Sequence, residues 1–235
     1  MYRLKWAERG GIDVAVKVCL GNLIESQEIE VLCNLPPHPN IIKLLGIAVS
    51  KDSTNTYIIT ELAVGGSLFK FLHEDKKIPS IEQSTTWALE VACAMEHLHH
   101  HKVIHRDLKS SNVVLTANTT AKVCDFGLAR PLSEAATYTT GATGTLCWAA
   151  PELLYNEKEK ISYPCDVYSY GMLTYELFTY RVPYDGRLDK LYQGAKLELP
   201  SSLPEYLQLL INSCWKREPQ ERPTFTQIIK AIKDK

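Results

Sequence analysis

Val103-Ile104-His105-Arg106-Asp107-Leu108-Lys109-Ser110-Ser111-Asn112-Val113-Val114-Leu115 decides how this chain is read. Two short apolar runs enclose a string of charged and polar residues, the pattern of a polar loop held at both ends by buried strands. Asp107 and Asn112 offer oxygen acceptors and Lys109 lies between them. That set suits a hydroxyl substrate, a hard metal ion and a phosphate group respectively. Thirteen residues after Asn112, Asp125-Phe126-Gly127 adds a second metal-type carboxylate, an aromatic anchor and a hinge. Either tripeptide alone is a weak signal; together, in this order and spacing, they are specific.

Upstream of the loop the pattern is strand-rich. Val14, Val16 and Val18 alternate with Ala15, Lys17 and Cys19, Tyr57-Ile58-Ile59 is another β-prone run, and Gly10-Gly11 reads as a hairpin turn. Lys17 therefore shares a face with Ala15, opposite the valines. One helix interrupts the strands, with Ile24, Glu28, Val31, Leu32 and Leu35 on one stripe. A carboxylate within an apolar stripe and an ammonium on a strand face each want a partner, and a Lys17–Glu28 ion pair satisfies both. The competing reading leaves Glu28 solvated at the edge of the stripe.

Beyond Gly65-Gly66 helical periodicity takes over. Ser80-Ile81-Glu82-Gln83 is a capping box ahead of Trp87, Val91, Met95 and Leu98; Leu207, Leu210, Ile211 and Cys214 form a second stripe; Thr224-x-x-Gln227 precedes Phe225, Ile228, Ile229 and Ile232. The organisation is an α+β, two-lobed one: a small strand-rich lobe over residues 1–60, a hinge over 61–67 and a larger helical lobe over 68–235.

Composition narrows the classes. The chain has 235 residues, 45% of them hydrophobic, and a net charge of -1, which gives no global field for nucleic acid or an anionic membrane. Its seven cysteines contain no Cys-x-x-Cys pair and read as free thiols of a reducing compartment, the cytosol. No apolar run reaches the length of a membrane span, and the first residues lack a signal-peptide core. His97, His99, His100, His101 and His105 resemble a metal tract in composition alone. Cys124 is either a reactive thiol facing the cleft or an inert buried one.

The ordered set Val14-Ala15-Val16-Lys17, Glu28, His105 to Asn112, Asp125-Phe126-Gly127 and Ala150-Pro151-Glu152 resembles the signature of protein kinases, and the resemblance extends from Met1 to the last helix. It implies that Lys17, fixed by Glu28, holds the α and β phosphates of ATP while Asn112 and Asp125 bind Mg2+. Asp107 would orient the attacking hydroxyl and accept its proton, and Lys109 would neutralise the transferred phosphoryl group. Adenine would lie between Ala15 and Val114, its edge on the backbone of Glu61 and Ala63, with Thr60 as a small gatekeeper. Asp166 would hold the catalytic-loop backbone and Arg222 would pair with Glu152.

Lys109 and Thr145 resemble the pattern of enzymes that act on Ser and Thr, whereas Trp148, Asp166 to Gly171 and Cys214-Trp215 resemble tyrosine kinases. This mixture is similar to the tyrosine-kinase-like group of Ser/Thr kinases, and the wording of the catalytic loop to mixed-lineage-type MAP kinase kinase kinases. The implied partners are protein substrates with Ser/Thr acceptors, among them a downstream MAP kinase kinase. Thr137, Thr139, Thr140 and Thr143 are candidate activation phosphosites, with Arg106 as the partner of the phosphate; the bland reading is a polar loop.

Two departures stand out. No Gly-x-Gly-x-x-Gly precedes Lys17, so the chain reads as starting within the second strand of the family fold, and Tyr184 to Pro200 is shorter than usual. Hence two functional expectations follow: an active protein kinase, and a pseudokinase-like binding module. A metabolite phosphotransferase fits less well, because the Thr145 to Glu152 platform and Arg222 belong to protein-directed enzymes.

Overall fold

A computed structural model of the chain describes residues 1–6, 10–20, 27–51, 55–131, 145–155, 162–193 and 195–235. The N-terminal lobe is an antiparallel sheet of order β1-β2-β4-β3, built from β1 (Tyr2–Trp6), β2 (Ile12–Leu20), β3 (Leu44–Val49) and β4 (Asn55–Glu61). Gly10 and Gly11 both take φ +74°, and the Gly11 amide donates to the Trp6 carbonyl at 3.0 Å, as expected of the hairpin turn. Ala15 pairs with Thr60 and Lys17 with Ile58, so these four residues share the face that looks into the interlobe cleft. Helix α1 (Gln27–Asn34) packs Ile29, Val31 and Leu32 into the core and buries Glu28 with them. Ile24 lies outside the described residues.

The larger lobe is helical. In α2 (Ile81–His100), Trp87, Val91, Met95 and Leu98 are buried along the expected stripe, and Ser80 accepts a hydrogen bond from the Gln83 amide. That is one half of the expected capping box; the reciprocal pair forms at Thr224 and Gln227, ahead of α7 (Phe225–Lys233). The stripes of α6 (Glu205–Cys214) and α7 pack as read, with Ile229 only partly buried.

Helix α4 (Pro164–Thr179) runs through the middle of this lobe and is buried on every side from Cys165 to Phe178. Its packing on α6 depends on Gly171, where an added Cβ would lie 2.9 Å from the Cys214 Cβ. Gly171→Ala is therefore expected to lower stability by about 1–3 kcal/mol through overpacking, read as a reduced urea midpoint with unchanged slope. A wild-type midpoint would show that α6 gives way freely.

The functional loop is suspended between two small sheets. β6 (Val103–Ile104) pairs with β9 (Arg130–Pro131), while β5 (Gly66–Ser67), β7 (Val113–Leu115) and β8 (Ala121–Val123) form the second. The Cys124 amide donates to the Asn112 carbonyl at 2.9 Å, which draws the Asp125 turn alongside the loop. Short helices α3 (Pro151–Tyr155) and α5 (Leu188–Tyr192) complete the fold.

Candidate active site

Lys17 reaches off β2 into the cleft and donates to Glu28 Oε2 and to Asp125 Oδ1, both at 2.7 Å. Glu28 has only 8% of its side chain exposed, so the reading that left it solvated is ruled out by burial and the ion pair takes its place. Burial works against the Lys17 ammonium, but the bonds to Asp125 and Glu28 outweigh it and hold its pKa above the ordinary lysine value. For Asp125 the same burial is outweighed by Lys17, and the carboxyl sits below the usual aspartate range.

Asp107, Lys109 and Asn112 form a second cluster. The Asn112 Nδ2 donates to the Asp107 carbonyl and to its Oδ2, each at 2.8 Å, and Lys109 Nζ lies 3.0 Å from the same Oδ2. The other oxygen, Asp107 Oδ1, is buried and has no hydrogen-bond partner among the described residues. A buried carboxylate oxygen left without a donor costs free energy unless a ligand supplies one.

The loop is held from behind. Asp166, wholly buried at the start of α4, accepts from the His105 amide through Oδ2 and from the Arg106 amide through Oδ1, both at 2.9 Å. These bonds fix Arg106 at φ +69°, a left-handed conformation that costs a non-glycine residue energy; Asp125 also takes a left-handed φ of +63°. The buried His105 ring lies 3.3 Å from both the Asp107 amide and the Cys124 carbonyl. A neutral ring protonated at Nε2 satisfies both contacts. Phe126 is fully buried, its ring centroid 5.2 Å from that of His105. A Cβ at Gly127 would approach Lys17 Nζ to 3.7 Å, so the turn packs closely under the ion pair. Arg222 forks onto Glu152 at 2.6 and 2.8 Å.

Between the lobes, Ala15, Thr60, Glu61, Ala63 and Val114 line a cavity of about 80 Å³ together with Lys17 and Asp125. That is well under the ~300 Å³ of ordinary ligand pockets. Two hollows of about 820 and 510 Å³ on the helical lobe are larger, but neither includes Lys17, Asp107, Asn112 or Asp125.

The remaining sequence expectations fare differently. Cys124 borders the cavity, but burial pushes its thiol up to about 12, which makes it the inert alternative. Three rings of the histidine run have separate partners: His97 the Pro36 carbonyl at 2.8 Å, His101 the His97 carbonyl at 2.8 Å, and His99 Asp166 Oδ2 at 2.9 Å. Thr145 opens a 3-10 turn, Thr145–Trp148, but its side chain lies outside the described residues. Thr137, Thr139, Thr140 and Thr143 lie outside them altogether.

The roles of three residues escape the sequence reading. His99 braces Asp166. Lys122 on β8 donates to Glu61 Oε1 at 2.7 Å and so links hinge to helical lobe. Buried Glu176 gathers His73 and Ser110, among others. Glu176 could have been found, because a charge within the apolar run of α4 calls for partners as Glu28 does.

Burial acts to raise the Asp166 carboxyl, but His99 and the loop amides outweigh it and hold it below the usual range. A depressed folded-state pKa contributes stability that is complete above the unfolded value of about 3.9 and is lost as pH falls through the folded value. His99→Phe is expected to move the acid-unfolding midpoint to higher pH, followed by tryptophan fluorescence. An unmoved midpoint would contradict the bracing.

The family described as "Protein tyrosine and serine/threonine kinase" matches residues 1–232. The chain is 36% identical over 199 residues to mitogen-activated protein kinase kinase kinase 12 of Rattus norvegicus, covering 82% of this chain and 22% of that protein. It is 34% identical over 249 aligned residues to the probable serine/threonine-protein kinase SIS8 of Arabidopsis thaliana, covering 99% and 23%. It is also 38% identical over 205 residues to tyrosine-protein kinase SRK2 of Spongilla lacustris, covering 84% and 55%. The chain thus spans about a quarter of the length of the first two relatives.

Proposed function

Since the chain belongs to the protein tyrosine and serine/threonine kinase family, we propose that it transfers the γ-phosphate of ATP to Ser and Thr hydroxyls of protein substrates. The observation that carries this reading is the buried, partnerless Asp107 Oδ1 beside Lys109 and Asn112. A binding module has no chemical need for an oxygen kept in that state; a phosphotransferase uses it to receive the acceptor's hydroxyl hydrogen.

The donor set fits a hard divalent cation. Asn112 spends its amide nitrogen on Asp107, so its oxygen is the end of the amide available to a metal, and Asp125 adds a carboxylate. Two protein ligands suit Mg2+, which takes its remaining contacts from water and phosphates. Bound Mg2+·ATP supplies the activated γ-phosphoryl group. Lys17, anchored by Glu28, faces the phosphates with a fixed positive charge, and Lys109 offers a second one beside Asp107. At the hinge, the Glu61 amide donates to the Lys43 carbonyl and the Ala63 carbonyl accepts from the Gly66 amide. The Glu61 carbonyl and Ala63 amide are thus the pair that can meet an adenine edge, with Ala15 and Val114 on its two faces.

Acceptor choice is argued from Lys109 and Thr145, whose identities suit Ser/Thr acceptors. The MAP kinase kinase kinase relatives support an intracellular signalling role with a downstream MAP kinase kinase as partner. The free cysteines suit the reducing cytosol. Thr137, Thr139, Thr140 and Thr143 are proposed as activation sites paired with Arg106. The test is phosphoamino-acid analysis of a mixed protein substrate after incubation with labelled ATP. Label on serine and threonine is expected, and label confined to tyrosine would overturn the acceptor assignment.

A further inference from the structure

The chain from Pro36 to Asn40 lies on the path from α1 to β3 and packs against the end of α2. The Leu35 amide donates to the Val31 carbonyl at 3.0 Å, so α1 runs on into this segment without a break. His97 Nε2 lies 2.8 Å from the Pro36 carbonyl, which only accepts, so that nitrogen carries the ring proton. The His38 ring stacks on His97 with centroids 4.8 Å apart, His97 meets His101 at 4.3 Å, and His101 meets His100 at 5.2 Å. Rings packed in a row do not converge on one point, and no group of three or more ligand-type side chains among the described residues can hold a metal ion. At the end of the row, His38 Nδ1 accepts from the Asn40 amide at 3.1 Å, and the Ile41 amide donates to the His38 carbonyl at 3.2 Å. The first of these bonds needs an unprotonated Nδ1. A second proton on His38 sets donor against donor.

We propose that the contact of His38 with the histidine-rich end of α2 is an acid-sensitive latch between the lobes, closed while His38 is neutral and released when it takes up a proton, with α1 and its Glu28 loosened as a result. A charge on His38 is opposed from several sides. Burial, and then the His97 ring, hold its pKa below the ordinary imidazole value; Lys122 acts in the same direction and Glu96 against it. Glu96 Oε1 already accepts from the Thr226 hydroxyl at 2.7 Å, and Lys122 is paired with Glu61. The other titratable groups around the two hollows that His38 borders are Cys93, His99, Tyr163 and Arg222 on one side and Lys43 on the other. Of these, His99 and Arg222 are committed to Asp166 and Glu152. A lowered folded-state pKa means that the open form binds the proton more readily. Acid therefore favours opening, beginning near the ordinary histidine value of about 6.5 and continuing down to the folded one. Beyond the latch, the Ile42 amide donates to the Val123 carbonyl at 2.9 Å, a bond without a titrating group, so the opening is local. The consequence for catalysis rests on the phosphotransfer reading of the site: a loosened Glu28 no longer fixes Lys17.

Hydrogen exchange followed amide by amide by NMR, with rates corrected for the intrinsic effect of pH, tests the latch without nucleotide or substrate. Between about pH 7.5 and about pH 5.5, protection at Leu35, Asn40 and Ile41 is expected to fall about tenfold relative to Ile42, the linkage of one proton over about one pH unit. The His38 ring is expected to titrate below about 6.5, and the Asn40 amide shift to follow the same midpoint. His38→Asn places an oxygen that does not titrate where Nδ1 accepts, and is expected to hold protection constant across this range. Unchanged protection in the wild type, a His38 ring that titrates at or above about 6.5, or a fall that persists in folded His38→Asn would overturn the proposal. The ring titration needs no variant and decides the matter even where His38→Asn does not fold. Wild-type protein that transfers no phosphate would refute the kinase reading instead, and the exchange result would still decide the latch.

Discussion

Replacing Asp107 with asparagine is expected to cut phosphoryl transfer by about 10²–10⁴-fold, the usual contribution of a positioned general base, while nucleotide affinity and melting temperature stay near wild type. The substitution is isosteric. The asparagine oxygen can keep the contacts of Oδ2 with the Asn112 amide and Lys109. Its NH2 group then occupies the place of Oδ1, the buried oxygen that has no partner. A donor there can neither orient a hydroxyl by accepting its hydrogen nor take up its proton. Steady-state kinetics with a peptide acceptor, alongside calorimetric ATP titration, checks this. Retained turnover would mean that the orphaned oxygen plays no part in the chemistry.

The largest loss of stability is expected at Arg222. Its side chain is fully buried and forks onto Glu152 at 2.6 and 2.8 Å, and its remaining donors reach the carbonyls of Lys216 at 2.8 Å, Pro164 at 3.0 Å and Arg217 at 3.1 Å. The guanidinium also stacks over Tyr168, 5.1 Å from the ring centroid. Arg222→Ala strands the Glu152 carboxylate and three carbonyls at once, and breaking such a pair from one side costs about 3–5 kcal/mol. Arg222→Lys restores the charge without the planar fork and is expected to recover only part of the loss. Glu152→Gln combined with Arg222→Met removes the stranded charge and is expected to cost less than Arg222→Ala alone. Urea denaturation of the three variants gives the ranking, and an Arg222→Ala protein as stable as wild type would show that the pair is dispensable.

The residues proposed to act on substrate were legible because they lie in short, ordered segments. The spacing from His105 to Asn112 and on to Asp125 reflects one loop hung between β6 and β7, followed by one turn after β8. The Lys17–Glu28 pair was legible for a different reason, since each residue breaks the local pattern of its strand or helix and burial of one requires the other. The supports were harder to see because they join segments far apart in the chain. The Asp166 contacts with His105 and Arg106 span 61 and 60 residues and were expected only through the family resemblance, while the Glu176 contact with His73 spans 103 and was not expected at all. No spacing rule of a single element reports such a contact. His99 was hidden by its neighbours, because a run of histidines suggests metal by composition while His97, His99 and His101 bond to three different acceptors, two of them more than 60 residues away. The hinge tie from Glu61 to Lys122 was hidden by a role already given to the Glu61 backbone. Cys124 shows the reverse case, in which adjacency to a functional residue suggests reactivity that burial removes.

The central claim is that the Asp107 and Asp125 clusters together make a metal-dependent protein phosphotransferase. The direct measurement is transfer of labelled γ-phosphate from ATP to a generic protein substrate by the folded chain, with Mg2+ and with the cation chelated. The account predicts label on the protein substrate that requires Mg2+ and disappears in Asp125→Ala. Transfer that persists without a divalent cation, or that survives Asp125→Ala, would contradict it.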